Sequence, residues 1–105
     1  MITQYEEERK TLDRAIANLL PEYSVTKKNQ KFDLARALNN EIYELRWRLY
    51  GLLCKDITAL QSRIDKDPWQ SDDLRDMRWF LALKKRACMT DMETLMREDL
   101  ALPLK

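Results

Sequence analysis

Residues 41–54 read EIYELRWRLYGLLC, and this stretch decides the fold because it carries two separate apolar rows on one helix. At about 100° per residue, the two rows lie roughly 120° apart around the helix. The first row is Ile42, Leu45, Leu49 and Leu53, and the second is Tyr43, Trp47, Tyr50 and Cys54. An apolar surface this wide needs more than one neighbour. The stretch therefore predicts the central helix of a helical bundle.

The composition of the whole chain agrees with a helical fold. The chain has 105 residues with one Gly and three Pro, and 35% of its residues are charged. Glycine and proline are well below their usual frequency, which is typical of helical proteins. The 19 Lys and Arg nearly balance the 18 Asp and Glu. No global charge therefore favours nucleic acid or an anionic membrane.

The first predicted helix covers residues 4–20. Thr3 and Glu6 have capping-box spacing, and apolar residues follow at steps of three and four until Pro21. We expect Pro21 to end this helix, because proline inside a helix removes a backbone hydrogen bond. The polar residues 21–30 are then predicted to form a loop.

A long second helix and a third helix follow. Apolar residues continue at helical spacing over 31–67, and Ile42, Leu53 and Ile64 recur every eleven residues, as in a nearly straight stripe. A turn is predicted at 68–71 and a third helix over 72–99. If the third helix folds back antiparallel, each apolar residue of the second helix should face an apolar residue of the third. The two residue numbers of each such pair should add up to the same value, because both helices rise equally per residue. They do, and the pairs include Ile64 with Leu74, Leu49 with Cys88, and Ile42 with Leu95.

The predicted fold is therefore all-α, with a short N-terminal helix packed on a long antiparallel two-helix hairpin in a three-helix, bundle-like arrangement. The first helix is less than half as long as the second, so we expect its cover to end near Leu49 or Leu52. Residues 53–84 would project as a bare hairpin. Dimerisation through two such hairpins would complete a four-helix arrangement.

Exposed aromatic residues are the candidate partner-binding residues. On the third helix, they cluster opposite the core stripe with small and aliphatic neighbours: Trp79, Phe80, Leu83 and Ala87. Such a patch usually marks an interface. Trp47 and Tyr50 face either the first helix or another chain. Trp69, at the turn, either anchors a partner protein or packs back over the turn. Gly51 is expected where a neighbouring helix approaches closely, or else is simply tolerated.

Catalytic chemistry has little support. The chain has no His, and with one Gly it has no phosphate-binding loop. Cys54 and Cys88 lack metal-ligand spacing and are expected to be reduced, buried thiols, so no metal or cofactor is predicted. A less favoured alternative is a small helical enzyme that uses Arg9, Arg46 and Glu41 around an anionic substrate.

The main alternative function is nucleic-acid binding by basic residues interleaved with aromatic ones. The candidates are Arg46, Arg48, Lys84, Lys85, Lys27 and Lys28. Against this alternative, Lys84, Lys85 and Arg86 point to different sides of a helix and form no single stripe. The N-terminal residues have no apolar signal region, and no apolar run is long enough to span a membrane. We therefore expect a soluble, cytoplasmic, non-enzymatic protein-interaction module of adaptor, chaperone or inhibitor type, acting as a homodimer.

Overall fold

The computed structural model describes residues 4–103, and in this range it contains three α-helices. They are α1 (Glu6–Lys28), α2 (Phe32–Lys66) and α3 (Ser71–Ala101), with a short 3-10 helix at Pro68–Gln70 between α2 and α3. Both α1 and α3 pack along α2, and the molecule measures 59 × 21 × 15 Å. The predicted all-α fold, with an N-terminal helix packed on a long hairpin, is confirmed.

The first helix is longer than the sequence predicts. Pro21 lies inside α1, so the predicted end at residue 20 and the predicted loop over 21–30 are wrong. Tertiary contacts hold the part after the proline on the bundle, because Tyr23 and Thr26 are both buried. Pro21 has no amide hydrogen to donate to the carbonyl of Ala17. Both residues are exposed, so this carbonyl can bind water instead. Burial of the apolar side therefore outweighs the missing bond.

The two ends of α1 also differ from the prediction. Thr3 lies outside the described residues, and α1 begins after Tyr5, which makes no side-chain capping hydrogen bond. At the other end only three residues connect α1 to α2, and Gln30 among them has a φ of 61°. The Lys31 amide donates to the carbonyl of Thr26 at 3.0 Å across this turn. A left-handed residue closing a helix in this way is a common C-terminal cap.

The hairpin of α2 and α3 has the predicted register. Arg46 Nη1 lies 2.9 Å from Asp91 Oδ2, and the Cys88 thiol donates to the Arg46 carbonyl at 3.3 Å. The side-chain amide of Asn39 donates to the Leu95 carbonyl at 3.0 Å nearer the other end. The buried core includes most of the predicted stripe residues: Ala35, Ile42, Leu49, Leu53, Leu60, Ile64, Leu74, Leu81, Cys88, Met92 and Leu95.

The cover that α1 gives to the hairpin extends further than predicted. Arg9, near the start of α1, contacts Asp56 of α2. The start of α1 therefore lies beside Asp56, beyond Leu49 and Leu52 on α2. The part of the hairpin beyond Asp56 consists of α2 and α3 alone. Its inner face is closed, since Leu60, Ile64, Leu74 and Leu81 are all buried. Its outer faces have no neighbour among the described residues.

Candidate protein-interaction site

The clearest candidate is a patch in the middle of α3, at the level of the start of α1 but on the outer face of the helix. We call Trp79, Phe80, Leu83 and Ala87 the hairpin patch. Trp79 is 66% exposed, Phe80 60% and Leu83 45%, and Ala87 is also exposed. Leu83 lies between the two aromatic residues around the helix, because Trp79 and Phe80 diverge by about 100°. The four predicted residues therefore form a continuous apolar surface on the outer side of α3.

Trp79 forms one edge of this patch and turns toward α2. It lines a shallow cavity of about 360 Å³ together with Gln61, Asp65, Arg75 and Arg78. These polar neighbours surround an apolar ring, which is the usual arrangement at the edge of a protein interface.

A second surface lies on α2, at the level of α1 but on the opposite side. We call Tyr43, Trp47 and Tyr50 the aromatic row. Trp47 stands edge to face with Tyr43 at 6.5 Å and with Tyr50 at 5.7 Å between ring centres. Trp47 and Asp56 are nine residues apart, which places them about 180° apart on α2. Since Asp56 faces α1, the interpretation that α1 packs on the aromatic row is wrong.

The aromatic row instead borders α3. The Tyr43 hydroxyl lies 3.6 Å from the sulfur of Met96, and the Lys85 ammonium lies 5.5 Å from the centre of the Tyr50 ring. Tyr43 and Tyr50 are half-buried by these contacts, while Trp47 remains 51% exposed. Of the two interpretations, only a surface for another chain stays open.

The exposure of Trp47 leads to a stability prediction. We expect Trp47→Ala to lower the free energy of unfolding by about 1 kcal/mol, because the main loss is two edge-to-face aromatic contacts. A buried tryptophan would lose about 3–5 kcal/mol. Urea denaturation measures the difference, with Trp69→Ala as a control that should change little. A loss of 3 kcal/mol or more would mean that the ring is buried in solution.

Trp69 stands at the tip of the hairpin. It is 96% exposed, so it does not fold back over the turn. The tip is held instead by Ser71, whose hydroxyl donates to the Pro68 carbonyl at 2.8 Å. Of its two alternatives, packing over the turn is excluded, and a role as partner anchor stays a prediction.

An open groove separates the start of α1 from the middle of α2. We call it the Gly51 groove, and its volume is about 620 Å³. Glu7, Glu8 and Leu12 line it from α1, and Arg48, Gly51, Leu52 and Lys55 line it from α2. A Cβ at Gly51 would meet no atom within 4 Å. No helix of the described chain approaches Gly51 closely, so a helix of a second subunit and simple tolerance of the glycine are the alternatives that remain.

The basic residues of the nucleic-acid alternative do not meet on one surface. Arg46 pairs with Asp91, Lys84 with Asp13 at 2.8 Å, and Lys27 with Glu98 at 3.4 Å. Lys85 lies over the Tyr50 ring on the other flank. Arg48 lines the Gly51 groove, and Lys28 is exposed at the end of α1. An acidic partner neutralises three of the six, so these residues form no basic stripe.

The proposed enzymatic cluster is not assembled either. Arg9 Nη2 lies 3.2 Å from Asp56 Oδ2, and the two side chains are 10% and 1% exposed. Arg46 lies about 15 Å along α2 from Asp56, and it pairs with Asp91 of α3. Glu41 is exposed. Asp56 is the residue that the sequence interpretation missed, although it stands at core spacing between Leu53 and Leu60.

A second buried polar group ties the other end of α1 to the hairpin. The Tyr23 hydroxyl donates to Glu98 at 2.8 Å and accepts from the Asn39 amide at 3.3 Å. Burial raises the pKa of Tyr23, so this hydroxyl keeps its proton and remains a donor. These bonds fix how far α1 extends along the bundle.

The two cysteines are both free thiols. Cys88 is buried, and burial raises the pKa of its thiol, so the sulfur stays protonated. Cys54 is only partly buried, which differs from the expectation of two buried thiols.

Comparison with protein-family models, curated proteins and solved structures returns no match. Within residues 4–103, no helix is long and apolar enough to cross a membrane. The same residues hold no cluster of three or more potential metal ligands of the His, Cys, Asp or Glu type.

Proposed function

We propose that the chain is a non-enzymatic helical protein-interaction module, of adaptor, chaperone or inhibitor type, that forms a homodimer through the hairpin patch. The observation that supports this most is the exposure of Trp79 and Phe80 beside each other on the outer face of α3. Contiguous exposed apolar surface of this kind marks interaction sites in soluble proteins. Aromatic side chains at the centre of such a surface supply most of the binding energy.

A second copy is the partner that best fits the hairpin patch. The outer face of α3 that carries this patch lacks a neighbour among the described residues, and its aromatic residues are exposed. Two hairpins related by a two-fold axis would cover each other's patch and form four helices with a shared apolar centre. The exposed Trp69 and the aromatic row would remain outside this contact. Of these, Trp69 at the tip of the hairpin is the anchor that we propose for a different protein.

The test is the mass in solution of Phe80→Glu, measured by light scattering at low micromolar concentration. We expect the wild type to be a dimer and the variant a monomer with unchanged helicity, because a carboxylate buried without a partner is costly. Met89→Glu is the matched control. It places the same charge on an exposed apolar position of α3, about 180° from Phe80.

The two variants separate the possible outcomes. A dimer that persists in Met89→Glu and dissociates in Phe80→Glu supports the hairpin patch as the interface. A wild-type monomer, or an equal mass for wild type and Phe80→Glu, contradicts it.

A further inference from the structure

We propose that the Gly51 groove is a second self-association site, which takes another copy of this chain through its own Gly51 groove. This site lies beside the start of α1 and does not include the hairpin patch. A chain that uses both sites would form dimers at low concentration and associate further as the concentration rises.

The first observation is that no contact within the described chain explains Gly51. A glycine in the middle of a helix costs about 1 kcal/mol relative to alanine. Here an added Cβ would meet nothing within 4 Å, so alanine would fit without any change in the fold. Glycine in a helix also allows another backbone to approach closely. With no helix of the described chain at that position, the open space at Gly51 leaves room for a helix of another molecule.

The second observation is that the two walls of the groove have opposite charge. Glu7 and Glu8 stand on the α1 wall, and Arg48 and Lys55 stand on the α2 wall. In the part of the chain that the structure describes, no ion pair joins the two walls. The contact between Arg9 and Asp56 places the start of α1 beside this part of α2, so Glu7 and Glu8 lie near the level of Lys55, while Arg48 lies about 10 Å further along α2.

This charge pattern is complementary to itself. A two-fold axis parallel to the groove places α1 of each copy on α2 of the other copy. Glu7 and Glu8 of one copy then face Lys55 of its partner, and the same contacts recur on the other side of the axis. An isologous interface needs this kind of surface. The facing helices α1 and α2 would also run antiparallel, which is favourable for their dipoles.

Apolar side chains supply the contact area between the charges. Leu12 and Leu52 line the groove and are half-buried in the single chain. Trp47 precedes Gly51 by one helical turn and is 51% exposed on the adjoining side of α2. A helix lying against Gly51 would reach both leucines and the edge of the Trp47 ring. The groove therefore has an apolar centre and a charged rim, as protein interfaces do.

The experiment uses the full chain with Phe80→Glu as background, so that the hairpin patch does not contribute. Sedimentation equilibrium at low salt and at concentrations up to the submillimolar range should show a monomer–dimer equilibrium. Adding Gly51→Leu should raise its dissociation constant by at least about tenfold, equal to ~1.4 kcal/mol. The leucine should leave the single chain folded, since there is open space at this position and leucine favours a helix.

A charge exchange tests the partner directly. One variant carries Glu7→Lys and Glu8→Lys, and the other carries Lys55→Glu, both in the Phe80→Glu background. Each variant alone should be monomeric because its walls repel those of a second copy. An equimolar mixture should form heterodimers that weaken at high salt. Glu7→Gln with Glu8→Gln controls for the effect of removing acids from the first turn of α1.

The results show whether a second copy of the chain binds in the Gly51 groove. Heterodimers in the mixture and a weaker dimer with Gly51→Leu support a second copy in the groove. A Phe80→Glu chain that stays monomeric at every concentration, or a dimer that Gly51→Leu leaves unchanged, overturns the proposal and leaves the groove to a different protein. The hairpin patch is tested separately by the low-concentration mass of wild type against Phe80→Glu.

Discussion

Replacing Asp56 by alanine is expected to lower the free energy of unfolding by about 3–5 kcal/mol. The Asp56 side chain is 1% exposed and pairs with Arg9, which is itself 10% exposed. Without the carboxylate, the guanidinium of Arg9 would be left in a buried position with its main counter-charge gone. Removing one partner of a buried ion pair is costly for this reason, and more costly than the net contribution of the pair. Urea denaturation with circular dichroism measures the change.

Two further variants separate charge from shape at this position. Asp56→Asn keeps the size of the side chain but removes its charge, so it should also be strongly destabilised. The double variant Arg9→Met with Asp56→Leu removes both charges and should recover most of the lost stability. A single Asp56→Ala variant that unfolds within about 0.5 kcal/mol of wild type, as a surface substitution would, would show that the pair is hydrated in solution.

The ion pair also shows what the sequence could and could not predict. Arg9 occupies a core-type position in the first helix, and Asp56 occupies one in the second, between Leu53 and Leu60. Two opposite charges on two apolar faces indicate that the faces meet with those charges paired. Sequence reasoning considered Arg9 only as part of an enzymatic cluster and did not connect it with Asp56. A stripe traced only through apolar residues passes over a buried acid of this kind.

The hairpin was predictable because its signal is local and repeated. Apolar residues at helical spacing continue through α2 and α3, and the pairing of Ile42 with Leu95 and Ile64 with Leu74 follows from the rise per residue. The end of α1 was not predictable in this way. Pro21 is a correct local signal for a helix end, and it is overruled by Tyr23, whose partners Asn39 and Glu98 are distant in sequence.

Some of the exposed surfaces were likewise predictable from local sequence signals, and others were not. Exposure of Trp79 and Phe80 follows from their position opposite the α3 core stripe, so sequence reasoning reached them. The orientation of α1 around α2 could not be derived from periodicity, because both sides of α2 are apolar. Packing of α1 beside Asp56 leaves Trp47 exposed and leaves open space at Gly51. The Gly51 groove is therefore a consequence of the fold that only the structure shows.

Leu53→Ala is the second substitution with a large expected effect, a loss of about 2–5 kcal/mol in the free energy of unfolding. Leu53 is fully buried, and it lies in the part of α2 that both α1 and α3 cover. A cavity enclosed by three helices cannot collapse easily, so the cost should lie in the upper part of this range. Leu100→Ala makes the same chemical change on α3 at a side chain that is 84% exposed, and it should change stability by no more than about 0.5 kcal/mol. Similar losses for the two variants would contradict the placement of Leu53 at the centre of the bundle, and with it the register of all three helices.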